Sequence, residues 1–175
     1  KTASFILGSL KADRGRLIRY YLDGRSRVKA NLEDYALLAD ALFSLHEATG
    51  EARWLAEAFT LVEEMIRLFN NPADGLFYDT GSDQEALFLR ERDMHDNDVP
   101  SGNSVAASVL VKASVASGKT SYMALAEGIM KTIGRMNEDS LSYGNFLSVL
   151  ETMFLAGYKQ GKDAGEGGRE RKIIE

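Results

Sequence analysis

Two amphipathic stretches, NLEDYALLADALFSLHEAT (31–49) and EARWLAEAFTLVEEMIRLF (51–69), are separated by Gly50 alone. Each repeats apolar residues at helical spacing. The first stripe is Leu32, Tyr35, Ala36, Ala39, Leu42, Phe43 and His46. The second is Trp54, Leu55, Ala58, Leu61, Val62, Met65 and Leu68. So short a break between two helices predicts an antiparallel αα-hairpin, with Asn31 able to cap its start and Gly50 its first end. Such a hairpin cannot bury its own apolar face, so it must stack on neighbours.

The same unit recurs. SGNSVAASVLVKASVAS (101–117) and SYMALAEGIMKTIGRM (121–136) form a second pair around Gly118. At the 68-residue offset from Gly50 to Gly118, Trp54 meets Tyr122, Leu55 meets Met123, Ala58 meets Ala126 and Leu61 meets Ile129. Leu37, Ala39 and Leu42 meet Val105, Ala107 and Leu110. LSYGNFLSVLETMFLAGY (141–158) reads as a fifth helix and ASFILGSLKA (3–12) as a sixth. Two extended pieces precede the helix pairs. RLIRYYL-DG-RSRVK (16–29) carries a hairpin turn at Asp23-Gly24, and GLFYDTGSDQEALFLRER (75–92) places two apolar-aromatic arms around a polar turn. The expected fold class is therefore mainly α: αα-hairpin repeats with short β-hairpins between helix pairs, spanning 1–160. Residues 161–175 form a polar, glycine-rich tail.

Composition narrows the functions. The chain lacks cysteine, which excludes disulfide scaffolds, thiol catalysis and thiolate metal sites and agrees with a reducing, cytoplasmic setting. No apolar run is long enough to span a membrane. Residues 11–30 carry seven Lys or Arg against Asp13 and Asp23, whereas 31–100 carry four Arg against sixteen acids. A basic segment beside an acidic body is ordinary charge pairing within a fold, and nucleic acid is not an expected partner.

Three separated motifs, LEDYALLADALFSLHEATGEARWLAEA, LFYDTGSD and PSGNSVAA, follow one another in a familiar order. Here the chain resembles the helical C-terminal region of the thioredoxin-domain-containing, spermatogenesis-associated protein-like family. That resemblance implies part of an α/α-toroid, similar to six-hairpin glycosidases and N-acylglucosamine 2-epimerases. It also implies a thioredoxin-like domain that is not among these residues. It carries a fold and a sugar-enzyme-like setting, but no mechanism and no cofactor.

The stretch DVPSGNSVAASVL (98–110) places one of only two prolines before a helix start. Ser101 or Asn103 can cap that helix, and the same exposed N–H groups can bind an anion or a sugar hydroxyl. At the repeat offset Ser101, Gly102 and Asn103 align with Glu33, Asp34 and Tyr35, while Gly144 and Asn145 head the fifth helix. If these are parallel inner helices, their N-termini gather over one concave surface. Carboxylates, amides and an aromatic ring there suit a carbohydrate-like small molecule. The ligand-binding candidates are Glu33, Asp34, Tyr35, Asp96, Asp98, Ser101 and Asn103. Asp34 and Asp98 are the catalytic candidates, as a glycosidase-like acid pair. Against each stands a plain structural role: a first-turn acid, a solvated turn or a cap. His95, with Asp93, Asp96 and Asp98, lacks any recognised metal-loop spacing, so no metal is expected. The competing reading is a noncatalytic helical scaffold, whose open flank packs on another part of the same chain or on a second copy.

Overall fold

The computed structural model describes residues 1–12, 15–23, 25–85, 88–133 and 143–163. In chain order these form α1 (Thr2–Ser9), β1 (Ile18–Leu22), β2 (Arg25–Lys29), α2 (Leu32–Thr49), α3 (Ala52–Phe69), α4 (Gly102–Ser117), α5 (Thr120–Ile133) and α6 (Gly144–Asp163). The helix boundaries are set by caps. The carboxylate of Asp34 accepts the Asn31 N–H at 2.8 Å, fixing the start of α2. Ser101 Oγ accepts the Ser104 N–H at 3.2 Å, fixing the start of α4. Gly50 and Gly118 end α2 and α4 in the left-handed conformation, φ 69° and 72°, which a side chain would strain.

The repeat is visible as packing. α2 pairs with α3 and α4 with α5, and α4 lies between α2 and α6. Trp54 and Tyr122 both sink into the core. The core runs through Tyr35, Leu42, Leu61, Met65, Phe69, Leu110, Ile129 and Phe146, all almost fully buried. α4 is buried nearly all round because it is rich in small residues, among them Gly102, Ser104, Ala106, Ala107 and Ala113. At its start, a Cβ on Gly102 would lie only 3.0 Å from Leu32 Cδ2 and 3.4 Å from the Glu33 nitrogen. The N-termini of α2 and α4 therefore meet at one end of the molecule.

The first hairpin forms as expected, pairing Ile18 with Lys29 and Leu22 with Arg25; Gly24 of its turn lies outside the described residues. The second expected hairpin does not form a regular ladder among the described residues. Its backbone groups bond elsewhere. Phe77 N–H and C=O both go to the Asn103 side chain, and the Arg90 guanidinium takes the Thr80 carbonyl. One cross-pairing remains, Asp79 N–H to Glu91 C=O at 3.0 Å, beside an isolated bridge from Asn70 to Phe77. The repeat register also slips. α4 is two residues shorter than α2, 16 against 18: matching the C-terminal glycines sets Ser101 opposite Glu33, but matching the N-caps sets it opposite Asn31. Asn103 thus occupies the helix position of Glu33, not of Tyr35. The tail from 164 onward and the stretch 134–142, which includes Met136, lie outside the described residues.

Candidate functional site

The loop between α3 and α4 folds back over the inner-helix ends. Asp79 C=O accepts the Leu32 N–H at 2.9 Å, satisfying one of the donors left open by the first turn of α2. Asn103 does the same work from α4. Its Oδ1 accepts Phe77 N–H at 3.0 Å, and its Nδ2 donates to Phe77 C=O at 2.9 Å and to Asp93 C=O at 3.2 Å. Asn103 is fully buried and its amide is spent on these three bonds.

Asp96 ties α6 to α4. Its Oδ1 accepts Ser101 N–H at 2.9 Å, and its Oδ2 accepts Asn145 N–H at 2.8 Å. One carboxylate therefore sits against the N-termini of both α4 and α6, where the helix dipoles favour negative charge. Asn145 Nδ2 adds a bond to Ser104 Oγ at 3.0 Å. His95 lies against the Tyr143 ring, with centroids 5.7 Å apart. α2, α4 and α6 thus share one end, as the repeat implies.

The remaining candidates fall into two groups. Tyr35 points inward: its hydroxyl oxygen accepts from Leu17 N–H at 2.8 Å and from the buried Arg16 at 3.0 Å. Arg16 also pairs with Asp83 at 3.0 Å. Burial works against the Asp83 carboxylate, but Arg16 and Lys29 together hold it below the usual range. Glu33 and Asp34 stay at the rim, Glu33 paired with Arg19 at 2.5 Å and Asp34 with the same guanidinium at 3.5 Å. Burial pushes the Asp34 carboxyl up, against the pull of the Asn31 N–H and Arg19. Asp98 is exposed and shares no hydrogen bond with Asp34.

Beside this end opens a cleft of about 1010 Å³ lined by Tyr78, Asp79, Arg90, Glu91, Arg92 and Asp93, with Phe88 and Leu89 at its edge. The guanidinium carbons of Arg90 and Arg92 lie 4.0 and 4.2 Å from the Tyr78 ring centroid, a cation–π arrangement that fixes the ring. Arg92 is neutralised by Asp74 at 2.5 Å. Both oxygens of Asp79 accept the Asp93 N–H, at 3.0 and 3.1 Å. Burial raises the Asp79 carboxyl above its ordinary value, and repulsion from Asp93, Glu91 and Glu33 adds to that; the Asp93 N–H opposes it. The bond from Leu32 N–H to Asp79 C=O sets Asp79 beside the start of α2, where Glu33 follows Leu32. Among the described residues no group of three or more His, Asp or Glu is arranged to hold a metal. No helix there is long and apolar enough to cross a membrane.

No protein-family model matches the chain. Mouse and human spermatogenesis-associated protein 20 are 36% and 34% identical to it over 93 residues, which is 53% of this chain and 12% of each of those proteins. A GH76 alpha-mannanase of Bacteroides thetaiotaomicron superposes on 91% of this chain and 44% of its own, with a TM-score of 0.60 and 13% identity. The family resemblance is borne out. At 13% identity the mannanase shows the fold alone, that of a helical toroid glycosidase.

The α3–α4 loop lies over the inner-helix ends, and the residues of it that line the cleft are not among the candidates read from the sequence. Tyr78, Asp79, Arg90 and Arg92 all lie inside the stretch 75–92 that the sequence marks as a hairpin. The one signal in the sequence is the charged run Arg90, Glu91, Arg92 and Asp93 at the end of the second arm, which a buried strand would not carry.

Proposed function

We propose that this region binds a carbohydrate-like ligand in the cleft at the N-terminal ends of α2, α4 and α6. The observation that supports the reading is the meeting of three helix starts beside an open cleft lined by Tyr78, Asp79, Glu91 and Asp93. Carboxylates and guanidinium groups offer acceptors and donors to sugar hydroxyls, and helix N-termini add a positive field. Asp79, Glu91 and Asp93 are the acids that line the cleft and would contact such a ligand. Asp79, its carboxyl raised by burial, is the group suited to carry a proton in a glycosidase- or epimerase-like step. Asp34, Asp96, Ser101 and Asn103 build the rim rather than touch the ligand.

A titration of soluble neutral mono- and oligosaccharides by calorimetry tests this. At least one sugar should bind, and Asp79→Ala or Tyr78→Ala should weaken it about tenfold, the loss of roughly one good hydrogen bond or ring contact. A complete absence of binding across the panel contradicts the reading. The noncatalytic scaffold is the second reading. It is favoured by the burial of Tyr35, Ser101 and Asn103 and by the hydrogen bonds each makes within the chain.

A further inference from the structure

Two of the residues that line the cleft are apolar and stand clear of the protein. Phe88 exposes 109% of its reference surface and Leu89 exposes 71%. Among the described residues the Phe88 ring meets no other ring and no cation. The other ring of the cleft is already engaged, since Tyr78 carries the guanidinium groups of Arg90 and Arg92 at 4.0 and 4.2 Å. The segment that bears Phe88 is pinned just beyond it. Arg90 donates to the carbonyls of Thr80 and Leu68, and Glu91 C=O accepts the Asp79 N–H at 3.0 Å. These bonds keep Phe88 within reach of the cleft. A single exposed phenylalanine is ordinary on a protein surface. This one stands beside three carboxylates, those of Asp79, Glu91 and Asp93, which offer acceptors to hydroxyl groups. A bare ring next to such acceptors matches the two-sided chemistry of a pyranose, which carries hydroxyls around its rim and C–H bonds on its faces.

We infer that Phe88 is the stacking platform of the cleft, and that it selects a pyranose whose ring substituents are all equatorial, the class whose faces carry C–H bonds alone. The inference rests on the carbohydrate reading above. Calorimetry with methyl β-D-glucopyranoside, and with glucitol as an open-chain polyol without a ring face, tests it. The glucoside should bind, and glucitol should bind at least about tenfold more weakly. Phe88→Ala should weaken the glucoside about tenfold and Phe88→Tyr should keep it. Neither change should move the Tm, because the ring is fully exposed. In NMR the axial ring protons of the bound glucoside should shift upfield in the ring current of Phe88. Phe88→Leu, which keeps an apolar side chain without the ring, should abolish that shift. Unchanged affinity and unchanged proton shifts in Phe88→Ala overturn the inference and leave the carbohydrate reading standing. Binding of other sugars of the panel without the glucoside does the same. If no sugar of the panel binds, both readings fall.

Discussion

Replacing Asn103 is the sharpest probe of how the cleft is held. Asn103→Ala removes three buried hydrogen bonds at once, leaving Phe77 N–H and the carbonyls of Phe77 and Asp93 without partners. A buried polar group left unsatisfied costs about 1–3 kcal/mol, and partial access of water near Asp93 lowers that for one of the three. The expected total is about 2–4 kcal/mol, or roughly a 5–15 °C fall in Tm for a chain of this size. Urea unfolding followed by circular dichroism measures it, and an unchanged m-value shows that the fold itself is kept. Asn103→Asp is the control. It keeps the acceptor for Phe77 N–H but turns a carboxylate toward two carbonyl oxygens. It should therefore be at least as damaging at pH 7 and recover as the pH falls and the new carboxyl protonates. If Asn103→Ala costs less than about 1 kcal/mol, Asn103 is not the tie that fixes the α3–α4 loop.

Asp96→Ala should lose about 2–3 kcal/mol, since two helix N-termini lose one acceptor, while Asp96→Asn should lose roughly half of that; thermal unfolding measures both. Asp34→Ala should cost about 1 kcal/mol as the loss of a cap, with sugar affinity unchanged in calorimetry. The Asp79 carboxyl is raised in the folded state, so the fold binds more protons there than the unfolded chain does. Its stabilising contribution is present at acid pH and is lost as the pH rises through the folded value. Asp79→Asn should therefore raise Tm at pH 7, with the gain fading as the pH falls toward the ordinary carboxylate value.

What could be read ahead of the structure was local and periodic. Gly50 and Gly118 each stop a helix because only a residue without a Cβ accepts their backbone at low cost, and that signal sits at one position. Trp54 and Tyr122 match because the repeat buries both. The parallel inner helices followed from those matches, and the contact of Gly102 with Leu32 bears them out. The loop over the helix ends was not legible. Asn103 reaches 26 residues back to Phe77, and Asp96 reaches 49 residues forward to Asn145. Such bonds leave no period and no spacing. The second hairpin was misread for the same reason. The arms at 75–92 have strand-like residues, but side chains from α4 and from Arg90 take the backbone groups a ladder would use. Ser101 could be read as a cap and Asp34 as a first-turn acid from the start; the structure shows both accepting backbone N–H groups at the helix starts.

The most direct measurement is a two-dimensional ¹H–¹⁵N NMR titration of the 175-residue chain with the tightest-binding neutral sugar from the calorimetric panel. The shifts should gather on the amides of Glu33, Tyr78, Asp79 and 90–93, with those of α5 and the far ends of α2 and α4 unmoved. Shifts centred on the surface between α5 and α6, or no shifts at a saturating concentration, contradict a ligand site at the gathered helix starts.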